Sequence, residues 1–298
     1  RWRTAPDSST MSNQPPPFPD TGIVIAHYHP AGRVARHLLN FIQHARRHVT
    51  PHIVFVSTGL SDPYKALIES HCHVIQRENV GYDFWSYKIG LESLMAQARP
   101  WQRLLIINSS IVITNPALLA HQLFARPLGS GLVGVGRSRQ PDDHLQSYCI
   151  LFEGEPFIRS AAMQRWWAGM EPISERKQVI LKYEVGMSQY FLAQGVALDG
   201  LYKPTQKQRL MAIVRALHMG TLSFDVAPDQ NTVSLDLSYS EFMNPTWYMW
   251  KDLLQQFGIV KIDFLKKSPL APDLHRLIQR LPPQVSGPLH ALIDDALI

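Results

Sequence analysis

The sequence has few cysteines and no long apolar run. Its 298 residues include two cysteines, Cys72 and Cys149, which lie far apart in apolar or strand-like surroundings. Two such residues are more typical of reduced core thiols than of a disulfide, which favours the cytoplasm. No apolar stretch reaches the length of about 18 residues that a membrane span requires, and the N-terminus has no signal-peptide core. We therefore expect a chain that neither spans a membrane nor is secreted by that route.

Several sequence motifs of well-known enzyme classes are also absent. The sequence has no GxxxxGK[ST] loop, no GxGxxG, no HExxH and no paired CxxC. Phosphate-loop ATPase, classical dinucleotide and zinc chemistry therefore lose their usual support. The pairs His27/His29 and His71/His73 resemble metal ligands on a strand, but no third ligand is evident, so we assign no metal site.

The charge balance is basic but modest. A net charge of +5 and a pI near 9.2 suit an anionic partner such as a nucleotide sugar, a phospholipid surface or a nucleic acid. The balance alone does not choose among them. No clustered basic and aromatic stripe is present, so we expect no nucleic-acid partner.

The order of apolar patterns predicts an α/β domain. Residues 1–20 are rich in Pro, Ser and Thr and are expected to form a disordered tail or linker. From Gly22 onward, short apolar strands alternate with segments of helical periodicity, as in GIVIAHY, VARHLLNFIQHARR and HIVFVST. This alternation predicts a mostly parallel central sheet with helices on both faces. We expect the domain to span residues 21–270 and a C-terminal helical segment to span residues 271–298.

The predicted fourth strand, RLLIINSS, ends in three small polar residues, Asn108, Ser109 and Ser110. In an open α/β sheet, ligands bind outside the carboxyl ends of the strands. We therefore expect these three side chains to face a binding site.

The turn in RENVGYDFWSYKIGL is a second candidate, because it lies between a predicted strand and a predicted helix. Gly81 allows close backbone approach or a positive φ, and Asp83 can accept hydrogen bonds from sugar or ribose hydroxyls. Tyr87 and the neighbouring aromatic residues can line a pocket. The alternative is that Asp83 is only the N-cap of the helix and that the aromatic residues belong to the core.

Two further clusters offer groups for acid–base chemistry. In HLQSYCILF, His144, Gln146 and Ser147 can contact an acceptor hydroxyl or a diphosphate, and a neutral imidazole can act as a general base. In KYEVGMSQYFLAQG, Glu184 is predicted to open a helix, where it can complement the helix dipole and also take a proton from an attacking hydroxyl. A structural role for His144 stays open.

These blocks, in this order, carry a family resemblance. The sequence resembles the rhamnan synthesis protein F family, glycosyltransferases of bacterial polysaccharide and O-antigen assembly. The resemblance rests on RENVGYDFWSYKIGL, LLIINSSIV followed by NP, HLQSYCILF, VILKYEVGMSQYFLAQG and NPTWYMWKDLLQQFGIVKIDFLKKSP. These blocks cover roughly residues 22–270.

The resemblance implies a glycosyltransferase-A type fold that binds a nucleoside-diphosphate sugar at the carboxyl ends of its first strands. Asn79, Gly81 and Asp83 carry over from the family as donor-site residues. The full set of donor-site candidates is His27, Tyr28, Asn79, Gly81, Asp83, Tyr87, Asn108, Ser109 and Ser110. Gln146, Ser147 and His218 are assigned to the acceptor or the diphosphate.

One residue departs from the family pattern. The INSS segment lies where this fold holds an Asp-x-Asp metal site and where the family more usually has Asn-Asp-Ser, but Ser109 replaces the aspartate here. Mg²⁺ and Mn²⁺ prefer anionic oxygen ligands, so the substitution weakens the case for a divalent metal. Three outcomes stay open: cationic side chains and helix N-termini stabilise the diphosphate, carboxylates elsewhere hold the metal, or transfer is lost. The cationic candidates are Lys88, Arg137, Lys182 and His218.

The expected function is therefore transfer of rhamnose or another hexose from a nucleoside-diphosphate donor to a hydroxyl of a lipid-linked glycan, with inversion. Glu184 is the first candidate for the base and His144 the second. The alternative is a nucleotide-sugar or glycan-binding module without transfer activity. A lipid-linked acceptor implies the inner face of the cytoplasmic membrane, which residues 261–267 could contact peripherally. The favoured alternative is that these residues form an ordinary strand or helix edge with solvated lysines.

Overall fold

A computed structural model describes Phe18, residues 20–220 and residues 243–298 of the chain. The strands are β1 Thr21–His27, β2 Ile53–Ser57, β3 His73–Gln76, β4 Arg103–Asn108, β5 Ile111–Ile113, β6 Gly131–Gly134, β7 Arg137–Ser138, β8 His144–Leu145, β9 Cys149–Glu153, β10 Leu198–Gly200 and β11 Ile259–Lys261. The helices are α1 Arg36–His48, α2 Asp62–Glu69, α3 Tyr82–Met95, α4 Pro116–Phe124, α5 Glu155–Ile158, α6 Ala161–Ala168, α7 Arg176–Val179, α8 Gly186–Ala193, α9 Gln206–His218, α10 Pro245–Tyr248, α11 Trp250–Phe257, α12 Ile262–Lys267, α13 Ala271–Gln279 and α14 Pro283–Leu297. A π-helical segment, Ile180–Val185, joins α7 to α8.

The central sheet has seven strands in the order β10-β6-β9-β4-β1-β2-β3. Strands β1, β2, β3 and β4 pair in parallel, and β9 runs antiparallel to both β4 and β6. The predicted α/β class is confirmed: the chain has a mostly parallel central sheet, flanking helices and a C-terminal helical extension.

Both faces of the sheet are covered, which is why the strands read as continuous apolar runs rather than as alternating patterns. On one face Ile23 and Ile25 pack in a core cluster with Leu38 and Phe41 of α1. On the other face Val24 packs in a cluster with residues of α3. Helix α3 lies so close to β1 that a Cβ at Gly90 would come within 2.3 Å of Val24 Cγ1.

The C-terminal helices form a third core cluster, which contains Trp250, Phe264, Leu274 and Ile293. Strand β11 connects this cluster to the main domain by pairing antiparallel with β5, and Lys261 lies opposite Ile111. The pairing brings a residue from the C-terminal part of the chain to the end of β4.

The same packing determines how residues 261–267 are exposed, the stretch for which we considered peripheral membrane contact. Phe264 is fully buried, and Ile262 and Leu265 pack against the third core cluster. Lys261 lies in strand β11 and does not extend as a solvated surface lysine. The three apolar residues therefore form no exposed apolar face. Within the described ranges no helix combines the length and apolar character needed to cross a bilayer.

The two cysteines are free and buried, as the sequence predicts. Burial raises the pKa of the Cys72 thiol and of the Cys149 thiol to about 12. Both thiols are therefore protonated at neutral pH and behave as small apolar side chains.

Candidate functional site

The ends of β1, β4 and β9 meet at one edge of the central sheet. The backbone N–H of Asn108 donates to the carbonyl of Tyr148, at 3.2 Å, where β4 ends and β9 is about to begin. The backbone N–H of Tyr28, just after β1, donates to Ser109 Oγ at 3.3 Å. The polar residues after β4 are thus held between the end of β1 and the segment that precedes β9.

The turn that leads into α3 is built around Arg77. Its guanidinium donates to the carbonyls of Glu78 and Tyr82, each at 2.6 Å, and to Ser86 Oγ. Gly81 and Tyr82 have φ values of +70° and +51°, so both are in the left-handed region. A side chain at Gly81 would be strained and would bring its Cβ to 2.7 Å from Trp85 Cβ.

Asp83 is not the N-cap of this helix, so that part of the alternative is wrong, whereas Phe84 and Tyr87 do belong to the core. The N-cap is Gly81, and Asp83 is the second residue of α3. The glycine is needed because the chain reaches the helix through a left-handed turn, which aims the Asp83 side chain at the end of β4. Asp83 Oδ2 accepts a hydrogen bond from Asn108 Nδ2 at 2.8 Å.

A chain of hydrogen bonds continues from Asn108 to a lysine that sequence reasoning did not place in the site. Asn108 Oδ1 accepts from the Ser110 backbone N–H at 3.1 Å and from the Ser110 hydroxyl. Lys261 Nζ donates to Ser110 Oγ at 2.6 Å and lies 4.9 Å from the centre of the Tyr148 ring. Lys261 arrives through the pairing of β11 with β5, and no periodic pattern in the sequence signals that pairing.

The charged side chains near the end of β4, which are Asp83, Glu184 and Lys261, influence one another's pKa values. Burial raises the pKa of the Asp83 carboxyl, and the positive charges of Lys261 and Arg77 oppose the rise. Burial lowers the pKa of the Lys261 ammonium, and the negative charges of Glu184 and Asp83 oppose the fall. Asp83, Glu184 and Lys261 therefore form one electrostatic unit.

Glu184 lies in the π-helical segment and does not open a helix, which corrects the sequence-based expectation. The helical structure starts earlier, at Arg176, and the wider π turn brings Glu184 toward the residues before β9. Its Oε2 accepts from the Ser147 backbone N–H at 3.0 Å and from the Ser147 hydroxyl. Both bonds are on one oxygen of the side chain, and π-helical turns are frequent at functional sites.

His144 is adjacent to Glu184 but is oriented by the backbone. Its Nδ1 lies 2.8 Å from the Asp142 carbonyl, and its Nε2 lies 3.7 Å from Glu184 Oε1. The ring is buried. This arrangement fits a residue that positions the Glu184 carboxylate.

Two buried polar atoms beside this segment have no hydrogen-bond partner among the described residues: Gln146 Oε1 and the Tyr148 hydroxyl. Gln146 Nε2 donates to Asn244 Oδ1 at 2.9 Å. Gly136 lies against both atoms, because its Cβ would come within 2.4 Å of Gln146 Oε1 and 2.9 Å of the Tyr148 hydroxyl oxygen. Buried polar groups without partners are rare, so these atoms are candidates for ligand contact.

Tyr87 connects the turn to the same segment. Its hydroxyl donates to the Ser147 carbonyl at 2.9 Å, and burial raises its pKa well above the ordinary value. The ring is fully buried and the hydroxyl is bonded to the backbone, so Tyr87 packs in the core beside the site and does not line an exposed pocket.

Four of the site residues predicted from the sequence place no side chain in the group formed by Asp83, Asn108, Ser110, Glu184 and Lys261. His27 is buried against Ser57, with Nδ1 at 2.9 Å from Ser57 Oγ, and burial lowers its pKa to about 4. Tyr28 and Asn79 are exposed, and Tyr28 joins the site only through its backbone. His218 ends α9 as an exposed residue.

The other cationic candidates have partners away from the cluster. Lys88 donates to the carbonyl of Trp167 at 2.7 Å, and Arg137 pairs with Asp143 at 2.7 Å. Lys182 lies over the ring of its neighbour Tyr183. Lys261 is the cation that the fold brings to the Asn-Ser-Ser segment.

The residues of this segment do not fit a divalent metal. Asn108 and Ser109 are neutral, Asn108 Oδ1 already accepts two hydrogen bonds, and the Lys261 ammonium lies against Ser110. A bound divalent cation would be repelled by that ammonium. Within residues 20–220 and 243–298, no group of three His, Cys, Asp or Glu side chains is arranged to hold a metal.

The histidine pairs are also separately engaged. His29 Nδ1 accepts from the Ala31 backbone N–H at 3.1 Å, whereas His27 bonds Ser57. His71 lies 3.2 Å from the Gln43 amide nitrogen.

No family model matches the chain. It is 28% identical over 144 residues, 46% of its length, to the uncharacterized protein y4gN of Sinorhizobium fredii, and the match covers 37% of that protein. It is 24% identical over 220 residues, 70% of its length, to the virulence protein VirA of Vibrio anguillarum, and this match covers 67% of that protein. The chain thus matches little more than a third of the first relative's length.

Among solved structures, the chain is similar to a glucosyl-3-phosphoglycerate synthase from Mycobacterium tuberculosis in complex with Mn²⁺ and UDP-glucose, with 13% identity and a TM-score of 0.38. That match covers 67% of this chain and 77% of the other. A cytidylyltransferase from Leptospira borgpetersenii is 9% identical with a TM-score of 0.36, and the match covers 62% and 76% of the two chains. At these values, neither likeness identifies what this chain binds.

Proposed function

We propose that this chain is a glycosyltransferase that moves a hexose such as rhamnose from a nucleoside-diphosphate donor to a hydroxyl of a growing cell-surface polysaccharide. The observation that carries the proposal is the convergence of Asp83, Glu184 and Lys261 with Asn108 and Ser110 at one edge of the central sheet. In open α/β sheets this edge, at the carboxyl ends of the parallel strands, is where ligands bind.

The roles follow from the chemistry of the side chains. Glu184 is the general base, because one of its oxygens is held by Ser147 and the other is not bonded to that residue. Asp83 and the Asn-Ser-Ser segment bind the donor, and Gln146 contributes an amide oxygen that has no partner among the described residues.

In the proposed reaction, Glu184 takes the proton of the acceptor hydroxyl as the oxygen attacks the anomeric carbon. A new C–O bond forms with inversion while the bond from the sugar to the diphosphate breaks. The electron pair of the broken bond stays on the leaving nucleoside diphosphate, where a positive group stabilises it. A lipid-linked acceptor would site this reaction at the inner face of the cytoplasmic membrane.

The test is a transfer assay on the purified chain. A panel of nucleotide sugars, dTDP-rhamnose among them, is incubated with a lipid-linked glycan acceptor, and both the released nucleoside diphosphate and the extended glycan are measured. We expect one donor to give equal amounts of the two products. Failure of every donor to give either product would refute the proposal.

A second candidate function is a binding module without transfer activity. It is favoured by one observation, the neutral Ser109 at the position where the family resemblance implies an aspartate. Tight binding of a nucleotide sugar with no product in the same assay would support the module.

A further inference from the structure

Lys261 has donor groups to spare. In the described part of the chain, its ammonium donates one hydrogen bond, to Ser110 Oγ at 2.6 Å, and an ammonium has three N–H groups. A second side of the ammonium faces the Tyr148 ring at 4.9 Å. At least one N–H is therefore left for a ligand.

The ammonium is also not neutralised by direct contact. The charges of Glu184, Asp83 and Asp263 act on Lys261, but among the described residues no carboxylate lies within an ion-pair distance of 4.0 Å of its Nζ, and Asp263 pairs with Arg176 and Lys267 instead. A half-buried cation that lacks a contacting carboxylate can pair with an anionic ligand.

The position of Lys261 is set by the backbone on both sides. Strand β11 fixes Lys261 opposite Ile111, and the backbone N–H of Ile262 donates to the Ser110 carbonyl at 2.9 Å. The ammonium is therefore held beside the segment where the family resemblance implies a metal, and the residues of that segment are neutral.

We propose that Lys261 neutralises the diphosphate of the nucleotide in place of a divalent metal, so that nucleoside diphosphates bind to this chain without a metal ion. This inference rests on the proposed function, since it assigns the diphosphate to the same site. The positive charge belongs to the chain, and the ligand supplies the oxygens.

The experiment is titration calorimetry in EDTA with UDP, dTDP and GDP, and with the matching monophosphates. We expect at least one diphosphate to bind roughly tenfold or more tightly than its monophosphate, because its second phosphate accepts a charge-assisted hydrogen bond from Lys261. Replacing EDTA with Mn²⁺ should change that affinity less than about threefold, because no metal bridges the phosphates.

Lys261→Met should weaken binding of that diphosphate by about 10- to 100-fold and leave the monophosphate within about threefold, because only the second phosphate loses its cation. Lys261→Gln, which keeps a hydrogen-bond donor for Ser110, should lose a similar amount and guards against a folding defect in the methionine variant. Lys266→Met is the matched control, since Lys266 is exposed on α12 and away from Ser110.

Diphosphate binding that requires Mn²⁺ would overturn the inference, as would unchanged affinity in both Lys261 variants. Absence of binding by all three diphosphates would overturn it together with the proposed function. Binding as expected without sugar transfer would refute the proposed function alone. Sugar transfer by a wild-type chain whose Lys261 variants keep full diphosphate affinity would refute this inference alone.

Discussion

Replacement of Glu184 by glutamine separates catalysis from folding. The amide oxygen of the introduced glutamine can accept the same two hydrogen bonds from Ser147, whose N–H lies 3.0 Å from Glu184 Oε2. The amide nitrogen of the glutamine takes the place of Glu184 Oε1, which lies 3.7 Å from His144 Nε2. The substitution therefore conserves shape and removes a base and a charge.

The magnitudes follow from these contacts. Two hydrogen bonds to a carboxylate become two to a neutral amide, which lowers the free energy of unfolding by about 1–2 kcal/mol. Loss of a general base lowers the rate of transfer by about 10²- to 10⁴-fold. Affinity for the donor should stay within a few-fold, because Glu184 takes the acceptor proton and does not bind the diphosphate.

Glu184→Ala is the matched comparison. It leaves the N–H and hydroxyl of Ser147 without their acceptor, at a cost of about 1–3 kcal/mol for each unsatisfied group. Urea denaturation of the three proteins should therefore rank wild type above the glutamine variant and the glutamine variant above the alanine variant. Initial rates of nucleoside diphosphate release, with acceptor present, should fall equally in both variants.

Two results would refute this reasoning. Near-normal turnover in Glu184→Gln would show that another group takes the proton. A parallel loss of donor affinity and turnover would show that Glu184 binds the donor instead of activating the acceptor.

The remaining predictions concern stability. Gly81→Ala should lower the free energy of unfolding by more than the roughly 1–2 kcal/mol that a left-handed alanine costs, because the new Cβ would have backbone and side-chain neighbours within 3.1 Å. Gly195→Ala is the control, since Gly195 has φ +74° and open space around it. In the same urea titration it should show the conformational cost alone. Glu153→Gln should lower the free energy of unfolding by about 3–5 kcal/mol, because the fully buried carboxylate pairs with Arg103 at 2.9 Å. A decrease below about 1 kcal/mol, measured by urea denaturation, would contradict the importance of that pair. Burial lowers the pKa of His27 from 6.5 to about 4, so between pH 4 and 6.5 the folded state binds fewer protons than the unfolded state. The free energy of unfolding should therefore rise by about 3 kcal/mol as the pH increases over this range. Denaturation curves of His27→Gln between pH 4 and 6.5 should have a correspondingly flatter pH dependence, and an unchanged slope would exclude His27 as the source.

The central sheet could be predicted from sequence because its strands are covered on both faces. The apolar runs that became β1, β2 and β4 are short, bounded by polar or turn residues, and separated by segments of helical period. The polar end of β4 at Asn108 followed from the same order, since ligands bind at the carboxyl ends of such strands.

The cation of the site could not be predicted in this way. Lys261 reaches Ser110 because two three-residue strands, β5 and β11, pair across a large sequence separation. Strands that short have no readable period, and their partner is set by tertiary packing.

Burial and helix geometry caused the other differences. His27 ends an apolar strand and looked available to a donor, but its ring packs within the sheet layer against Ser57 and Phe55. Glu184 looked like the first residue of a helix because periodicity does not distinguish a π turn inside a longer helix from the start of a new one.

The pairing of β11 with β5 also has a consequence for the order in which the chain is synthesised. Asp83, Asn108 and Glu184 leave the ribosome well before Lys261, so the nascent site holds two carboxylates without the lysine. If Lys261 holds the diphosphate as proposed, the chain gains this contact only late in translation, when β11 pairs with β5. On the same proposal, a partly synthesised chain that has the central sheet and the Gly81 turn but lacks β11 has no cation for the diphosphate.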